Sequence, residues 1–453
     1  MTGIFLAQAL LPHGWARDVR VTHNGGRIVT VETGATAQPG DARHAIGIPG
    51  LPNLHSHGFQ RGLAGLGERR GTTADDFWTW RDVMYRFLDS MTPEDIEAIT
   101  AQAYVEMVES GFTRVGEFHY LHNDTVGAAY ADPAELTHRI VSAAKQAGLR
   151  LTLLPVFYAH GGFGGMAPTQ GQRRFVMKLD RFAGLLEASH AAVAPLNGGV
   201  VGIAPHSLRA VTPDQLIALC DMANGRPIHI HIAEQMREVE DCLRWSGARP
   251  VEWLLDHAPV GRNWCLIHAT HMGTRETTDL AATGAVAGLC PVTEANLGDG
   301  IFNGADWLAA GGPYGVGTDS NVAISAALEL QMLEVSQRLG RRARNVMAGA
   351  AERSTGRSLF DTALAGGAAA LGAGASGITP GAGADLVALD PDHPSLLRKT
   401  NDAILDSWIF GTARPAVDAV WVAGRQYVIG GRHIARDAVA ARFGQVMRRL
   451  LTS

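Results

Sequence analysis

Eight short apolar runs, separated by stretches of helical periodicity, constrain the fold of this 453-residue chain more than any other feature. They cover residues 45–51, 113–118, 149–156, 200–204, 227–232, 264–267, 285–289 and 314–317. A continuous apolar strand is buried on both faces, and its alternation with amphipathic helices makes a parallel sheet covered on either side. Eight such units over roughly 250 residues or more predict an α/β fold of the (β/α)8, TIM-type barrel class.

The two ends of the chain follow a different pattern. Residues 17–21 and 27–31 alternate polar and apolar side chains around Asn24-Gly25-Gly26, the signature of a hairpin. Residues 384–389 form a buried-strand run, 419–422 and 426–429 a second hairpin, and 435–451 a closing helix. The predicted organisation is a small β domain of residues 1–48 with 372–453, flanking a barrel catalytic domain of residues 49–371. The connection from about residue 62 to 89 is too aromatic for a linker and is expected to cover the site at the barrel mouth.

Composition excludes several classes of function. A net charge of −5 leaves no basic footprint for nucleic acid. No apolar run is long enough to cross a bilayer. The N-terminal stretch lacks the basic segment and cleavage site of a secretion signal. Cys220, Cys242, Cys265 and Cys290 are scattered without a paired motif, which suits reduced thiols in a cytoplasmic enzyme. Lysine occurs only at Lys145, Lys178 and Lys399, so an anion-binding site here would be built from arginine.

Barrel enzymes carry their chemistry at the C-terminal ends of strands. Those ends hold His55 and His57, then Glu117, His119 and Tyr120, then His160, His206, His231 with Glu234, His268 and Asp319. Such a concentration of histidines is hard to assign to packing. In His55-Ser56-His57 the two imidazoles share one face of a strand and can reach one ion. His231 adds a third nitrogen and Asp319 an oxygen. Three histidines and a carboxylate suit one divalent metal, zinc or alternatively iron, with a position left for water. A bound metal lowers the pKa of that water towards neutrality. Glu234, three residues after His231, stands where a general acid/base would move a proton from water to a departing amine. His268 would lie on the other side of the water, and Asp319 would assist as an acceptor. His229 is open to two readings, support for the metal ligands or a buried, satisfied histidine.

The motifs His55-Ser56-His57, HIHIAE at the fifth run, IHATH at the sixth and GTDSN at the eighth resemble the amidohydrolase superfamily, in its subgroup of mononuclear deaminases. None of the three lysines lies on a candidate strand end, which disfavours the binuclear type bridged by a carboxylated lysine. The chain is more closely similar to the N-formimino-L-glutamate deiminases over nearly its whole length. That resemblance is carried by LPNLHSHGFQRGLAG, FWTWRDVMYR, GEFHYLHND, HGGFGG with GQRRF, HSLRAVTP, WSGARPVEWL and LCPVTEANLGDGIF. It implies hydrolysis of N-formimino-L-glutamate, a small molecule of histidine degradation, to N-formyl-L-glutamate and ammonia. It also implies that Gln60, Arg81, Tyr120, His206 and Arg209 bind the glutamyl portion, with Arg61 a competitor for the place of Arg81, and that the chain forms a homodimer.

Two rival functions stand beside this one. An aminohydrolase acting on a nucleobase or related ring would use the same metal set, but a neutral ring has no need of paired arginines. A non-catalytic barrel serving as a scaffold would be expected to have lost ligands or the acid/base, and none is missing.

Overall fold

The computed structural model of the chain describes residues 2–71, 75–412 and 414–452. The N-terminal hairpin forms as expected between β2 (Gly14–Asn24) and β3 (Arg27–Glu32), preceded by β1 (Thr2–Leu11) and followed by β4 (Ala42–Pro49). The parallel strands follow: β5 (Leu51–Ser56), β6 (Phe112–His119), β7 (Arg150–Phe157), β8 (Val200–Val201), β9 (Ala204–Pro205), β10 (Ile228–Ile232), β11 (Trp264–His268), β12 (Val286–Leu289) and β13 (Tyr314–Val316). The chain then returns through β14 (Leu386–Leu389), β15 (Val417–Val422), β16 (Arg425–Ile429) and β17 (Arg432–His433) to the last helix, Arg436–Thr452.

Both termini build one eight-stranded sheet in the order β17-β16-β15-β14-β4-β1-β2-β3. One of its faces has its own apolar cluster, including Ile4, Val19, Val21, Leu386 and Trp421. A partly buried ion pair, Arg150 Nε to Asp385 Oδ1 at 3.0 Å, ties the sheet to β7. The sequence reading differs here at two places. The apolar run 45–51 is not one strand, because the chain leaves the terminal sheet at Pro49 and starts β5 at Leu51. Gly50 makes this crossing close to β6, and a Cβ there would stand 2.2 Å from the Thr113 side chain. Strand β1 shows no polar–apolar alternation, because its sequence, TGIFLAQALL, carries apolar side chains on both faces.

The parallel strands lie in two sheets, β5-β6-β7-β8 with β9 paired to β7, and β10-β11-β12-β13. Helices such as Pro93–Glu109, Glu135–Ala147 and Thr274–Thr283 alternate with them. At both junctions the sheets approach through isolated parallel bridges, Ile203 with Ile228, Ser207 with His231, and Ser56 with Asp319. The fourth expected run is broken at Gly202, where a Cβ would meet the Pro227 carbonyl at 2.6 Å. Its two remnants still leave His206 between β7 and β10, its amide donating to the Phe157 carbonyl at 3.0 Å and its carbonyl accepting from the His231 amide at 3.1 Å. The 62–89 connection, of which 72–74 lie outside the described residues, contains a helix at Phe77–Leu88. Asp76 caps it by accepting from the Trp78 and Thr79 amides.

Candidate active site

His55, His57, His231 and Asp319 come from three strand ends and are all buried. Their donor atoms lie within 4.8 Å of one another. His55 Nε2 is 3.2 Å from His57 Nε2 and 3.0 Å from His231 Nε2, and Asp319 Oδ1 lies 3.4 Å and 3.2 Å from His55 and His57 Nε2. Donors placed tetrahedrally around zinc at its usual bond lengths stand about 3.3 Å apart. The spacing of this set therefore fits one such ion. Tautomer supports the same fit: His57 Nδ1–H donates to the Phe118 carbonyl at 3.0 Å, which leaves Nε2 as a lone-pair donor facing the cluster. Burial holds the imidazoles of His55 and His231 neutral, lowering His55 to about 3 and His231 well below its ordinary value. Burial alone would raise the Asp319 carboxyl, but its hydrogen bonds with His55 and His57 hold it well below the ordinary carboxylate range.

The backbone around this cluster is unusual. His268 and Asp319, neither a glycine, take positive φ angles of 68° and 45°. Such conformations need support from their surroundings. For Asp319 the support is a buried network the sequence reading missed. Asn321 Nδ2 donates to the His57 carbonyl at 3.0 Å, the Asp319 carbonyl at 3.1 Å and Ser56 Oγ at 3.1 Å. Thr318 Oγ1 donates to Asn321 Oδ1 at 2.6 Å and accepts from Asn53 Nδ2 at 2.7 Å. The signal lay in the two residues after Asp319 in GTDSN, but single polar side chains at strand ends do not reveal their partners.

Glu234 and His268 face each other beside the cluster, His268 Nε2 being 3.6 Å from Glu234 Oε1 and 3.8 Å from Asp319 Oδ2. Burial raises the Glu234 carboxyl to about 7, with the charge on His268 pulling the other way. Burial opposes charge on His268, yet Glu234, Glu294 and Asp319 outweigh it and hold the imidazole well above its ordinary value. Glu294, also missed from sequence, is 3.2 Å from His268 Nδ1 and accepts from the Cys290 amide at 2.8 Å. Behind Glu234, the Gln235 amide donates to Asp299, a buried carboxyl raised by burial and by Glu234.

A cavity opens over these groups. Its lining brings together His57, His231, Glu234, His268 and Asp319 with Gln60, Arg81, Tyr120, His206 and Arg209. Every residue named for the glutamyl portion is thus present, and aromatic and apolar walls come from Phe77, Trp80, Met84, Tyr85, Tyr158 and Phe175. The Phe77–Leu88 helix supplies five of the lining side chains. Gln60 Nε2 donates to the Tyr120 hydroxyl at 2.8 Å, while its Oε1 is buried without a partner. Arg81 and Arg209 form no ion pair among the described residues, and each retains a buried Nε with no acceptor. Arg61 instead binds Glu106 at 2.8 Å and is absent from the lining. His229 lies outside the donor cluster, its Nε2 bonded to the Ala370 carbonyl at 2.8 Å, which favours the satisfied-core reading. His119 and His160 are likewise not brought into the cavity.

Comparison with known proteins agrees with this geometry. Residues 46–427 match the amidohydrolase family, and residues 1–45 match the N-terminal domain of formimidoylglutamate deiminase HutF. A formimidoylglutamate deiminase of Pseudomonas aeruginosa is 47% identical over 455 residues, covering 100% of both chains. The crystal structure of an amidohydrolase from Brucella melitensis superposes with a TM-score of 0.97 at 54% identity, over 100% of both chains. At 22% identity, a zinc-bound adenosine deaminase from Xanthomonas campestris shares the fold, with a TM-score of 0.81 over 100% of this chain and 99% of that one. Among the described residues, no helix is long and apolar enough to cross a membrane. From its first residues to its last strands, the chain belongs to the amidohydrolase family, in its formimidoylglutamate deiminase branch.

Proposed function

We propose that the chain hydrolyses N-formimino-L-glutamate to N-formyl-L-glutamate and ammonia, acting on the C–N bond of a linear amidine. The observation that carries this is the pairing, in one cavity, of a four-donor metal cluster with two arginines that make no ion pair among the described residues. A guanidinium without an ion pair, lining a cavity, is a built receptor for a carboxylate. The substrate has two carboxylates at one end and its reacting amidine at the other. The full-length likeness to the Pseudomonas aeruginosa deiminase points to the same substrate.

His55, His57, His231 and Asp319 are the residues that would hold the metal, for which zinc is the first choice on donor type. When bound, a divalent metal supplies Lewis acidity that makes water nucleophilic near neutral pH. Glu234 accepts a proton as water adds to the formimino carbon, then delivers it to the nitrogen of the tetrahedral adduct. The C–N bond breaks, ammonia leaves, and the carbon becomes the formyl group of the product. Asp319 Oδ2, on the side of the His268 imidazole, serves as a further proton acceptor. His268, charged and held by Glu294, orients the attacking water and offsets negative charge on the adduct. Gln60, Arg81, Tyr120, His206 and Arg209 bind the glutamyl end.

On architecture, the bridges at both sheet junctions support one closed (β/α)8 barrel. The separate apolar cluster of the terminal sheet supports a division into residues 1–48 with 372–453 and residues 49–371. Ammonia release from N-formimino-L-glutamate, measured beside guanine, cytosine and adenosine, tests the substrate. Preference for a ring would defeat the assignment while leaving a metal hydrolase.

A further inference from the structure

Three guanidinium groups from three separate elements converge on the indole of Trp78. The Cζ atoms of Arg81, Arg237 and Arg209 lie 4.4 Å, 4.8 Å and 5.6 Å from its centroid. Arg81 is one turn further along the Phe77–Leu88 helix, Arg209 follows β9, and Arg237 stands on the helix Met236–Ser246 just beyond Glu234. Like charges this close repel one another. Glu238 and Glu234 offset part of this repulsion at Arg209 through space, without an ion pair that would occupy its N–H donors. An aromatic face attracts a guanidinium through its quadrupole and leaves the in-plane N–H groups free. The unpartnered Nε atoms of Arg81 and Arg209 agree with that arrangement. The backbone that carries the indole is held by Asp76 Oδ1, which accepts from the Trp78 amide at 2.9 Å, and Phe77 packs edge-on against the ring at 5.1 Å. Arg237 differs from the other two. Its side chain is 63% exposed and its nearest carboxylate, Asp241, is 3.9 Å away.

We propose that Trp78 is a specificity-determining positioning residue, an aromatic platform that keeps Arg81 and Arg209 ready for the two substrate carboxylates, and that Arg237 is the outer cation of the same array, drawing the dianion to the mouth. The inference rests on the formimidoylglutamate assignment above. The platform acts on binding of carboxylates and leaves the chemistry at the amidine untouched. The outer cation acts on the rate of encounter, which salt screens.

The test compares W78L, W78F and R237Q with wild type on N-formimino-L-glutamate and on formamidine, an amidine without carboxylates. W78L should raise KM for N-formimino-L-glutamate roughly tenfold, with kcat within about twofold, and W78F should restore most of the loss. Formamidine turnover should change by no more than about twofold in all three. R237Q should lower kcat/KM about three- to tenfold at low ionic strength, the deficit closing near about 0.5 M salt. Melting temperature and metal content confirm that each variant is folded and loaded. If W78L does not fold, W78F and R237Q carry the test, W78F then being expected to show a KM increase of about twofold or more. An unchanged KM in W78L, a loss shared equally by formamidine, a W78F as impaired as W78L, or an R237Q deficit that salt does not close would overturn the proposal. A wild-type enzyme that releases ammonia from formamidine but not from N-formimino-L-glutamate would overturn the substrate assignment instead.

Discussion

The Nε2 atoms of His55 and His231 lie 3.0 Å apart, on two imidazoles that burial holds neutral. Lone pairs facing each other at that distance are stabilised by a cation between them, and His57 and Asp319 complete the cage. Substituting His55, His57, His231 or Asp319 by alanine is expected to abolish turnover together with bound metal, measured by elemental analysis of the purified variants. Chelation and dialysis of the wild type should do the same and lower its melting temperature, since an ion that binds only the native state stabilises it. Full activity after metal removal would refute the cage.

Glu234→Gln keeps the shape of the acid/base and removes its ability to accept a proton. Metal content should stay near that of wild type while kcat falls by roughly 10² or more. A variant that loses metal but turns over normally when saturated with it would make Glu234 a support for the ligands.

Burial raises the Glu234 carboxyl to about 7, so its proton-accepting form is depleted as pH falls through neutrality. Turnover should decline on the acid side, approaching about tenfold per pH unit. The charged His268 pulls the Glu234 pKa down. Removing that charge in His268→Asn therefore raises it, and the acid limb of the residual activity should move to higher pH. A limb that stays in place would separate His268 from the acid/base.

Arg209→Met should weaken use of N-formimino-L-glutamate by about 2 kcal/mol or more in kcat/KM, the scale of losing one partner of a buried charge pair. Arg81→Met should act in the same direction. Formamidine should be hardly affected by either. Arg61→Met should spare use of N-formimino-L-glutamate more than Arg81→Met does, because Arg61 is engaged with Glu106. Equal losses on both substrates would mark Arg209 as a support of the fold.

Asn321→Ala removes one side-chain amide that satisfies the His57 and Asp319 carbonyls and Ser56 Oγ. The two carbonyls keep the backbone amides of Gln60 and His57 as donors, but Thr318 Oγ1 loses its acceptor and Ser56 Oγ its donor, and a buried polar group left unpaired costs about 1–3 kcal/mol. Denaturant unfolding should show that loss, accompanied by weaker metal retention, because Asp319 and His57 lose a common anchor. Unchanged stability and metal content would mean that the network does not hold the strand ends.

Much of the site was legible in the sequence because strand periodicity and the position of a strand end are local properties. Two residues of spacing put His55 and His57 on one face, and the end of a buried run exposed His231, His268 and Asp319. The repeated runs fixed the parallel α/β class for the same reason, since each apolar strand needs cover on both faces. Other features depend on which distant residues meet, and one chain does not encode that in any window. The 45–51 run divides between two sheets because Gly50 passes against Thr113, more than sixty residues away. Arg61 and Arg81 look alike as sequence, and only the position of Glu106 turns one of them away from the cavity. Asn321, Glu294 and Trp78 owe their places to partners on other elements. Sequence thus determined the chemistry available at the strand ends, and tertiary packing decided which charges were paired off and which were left without an ion pair.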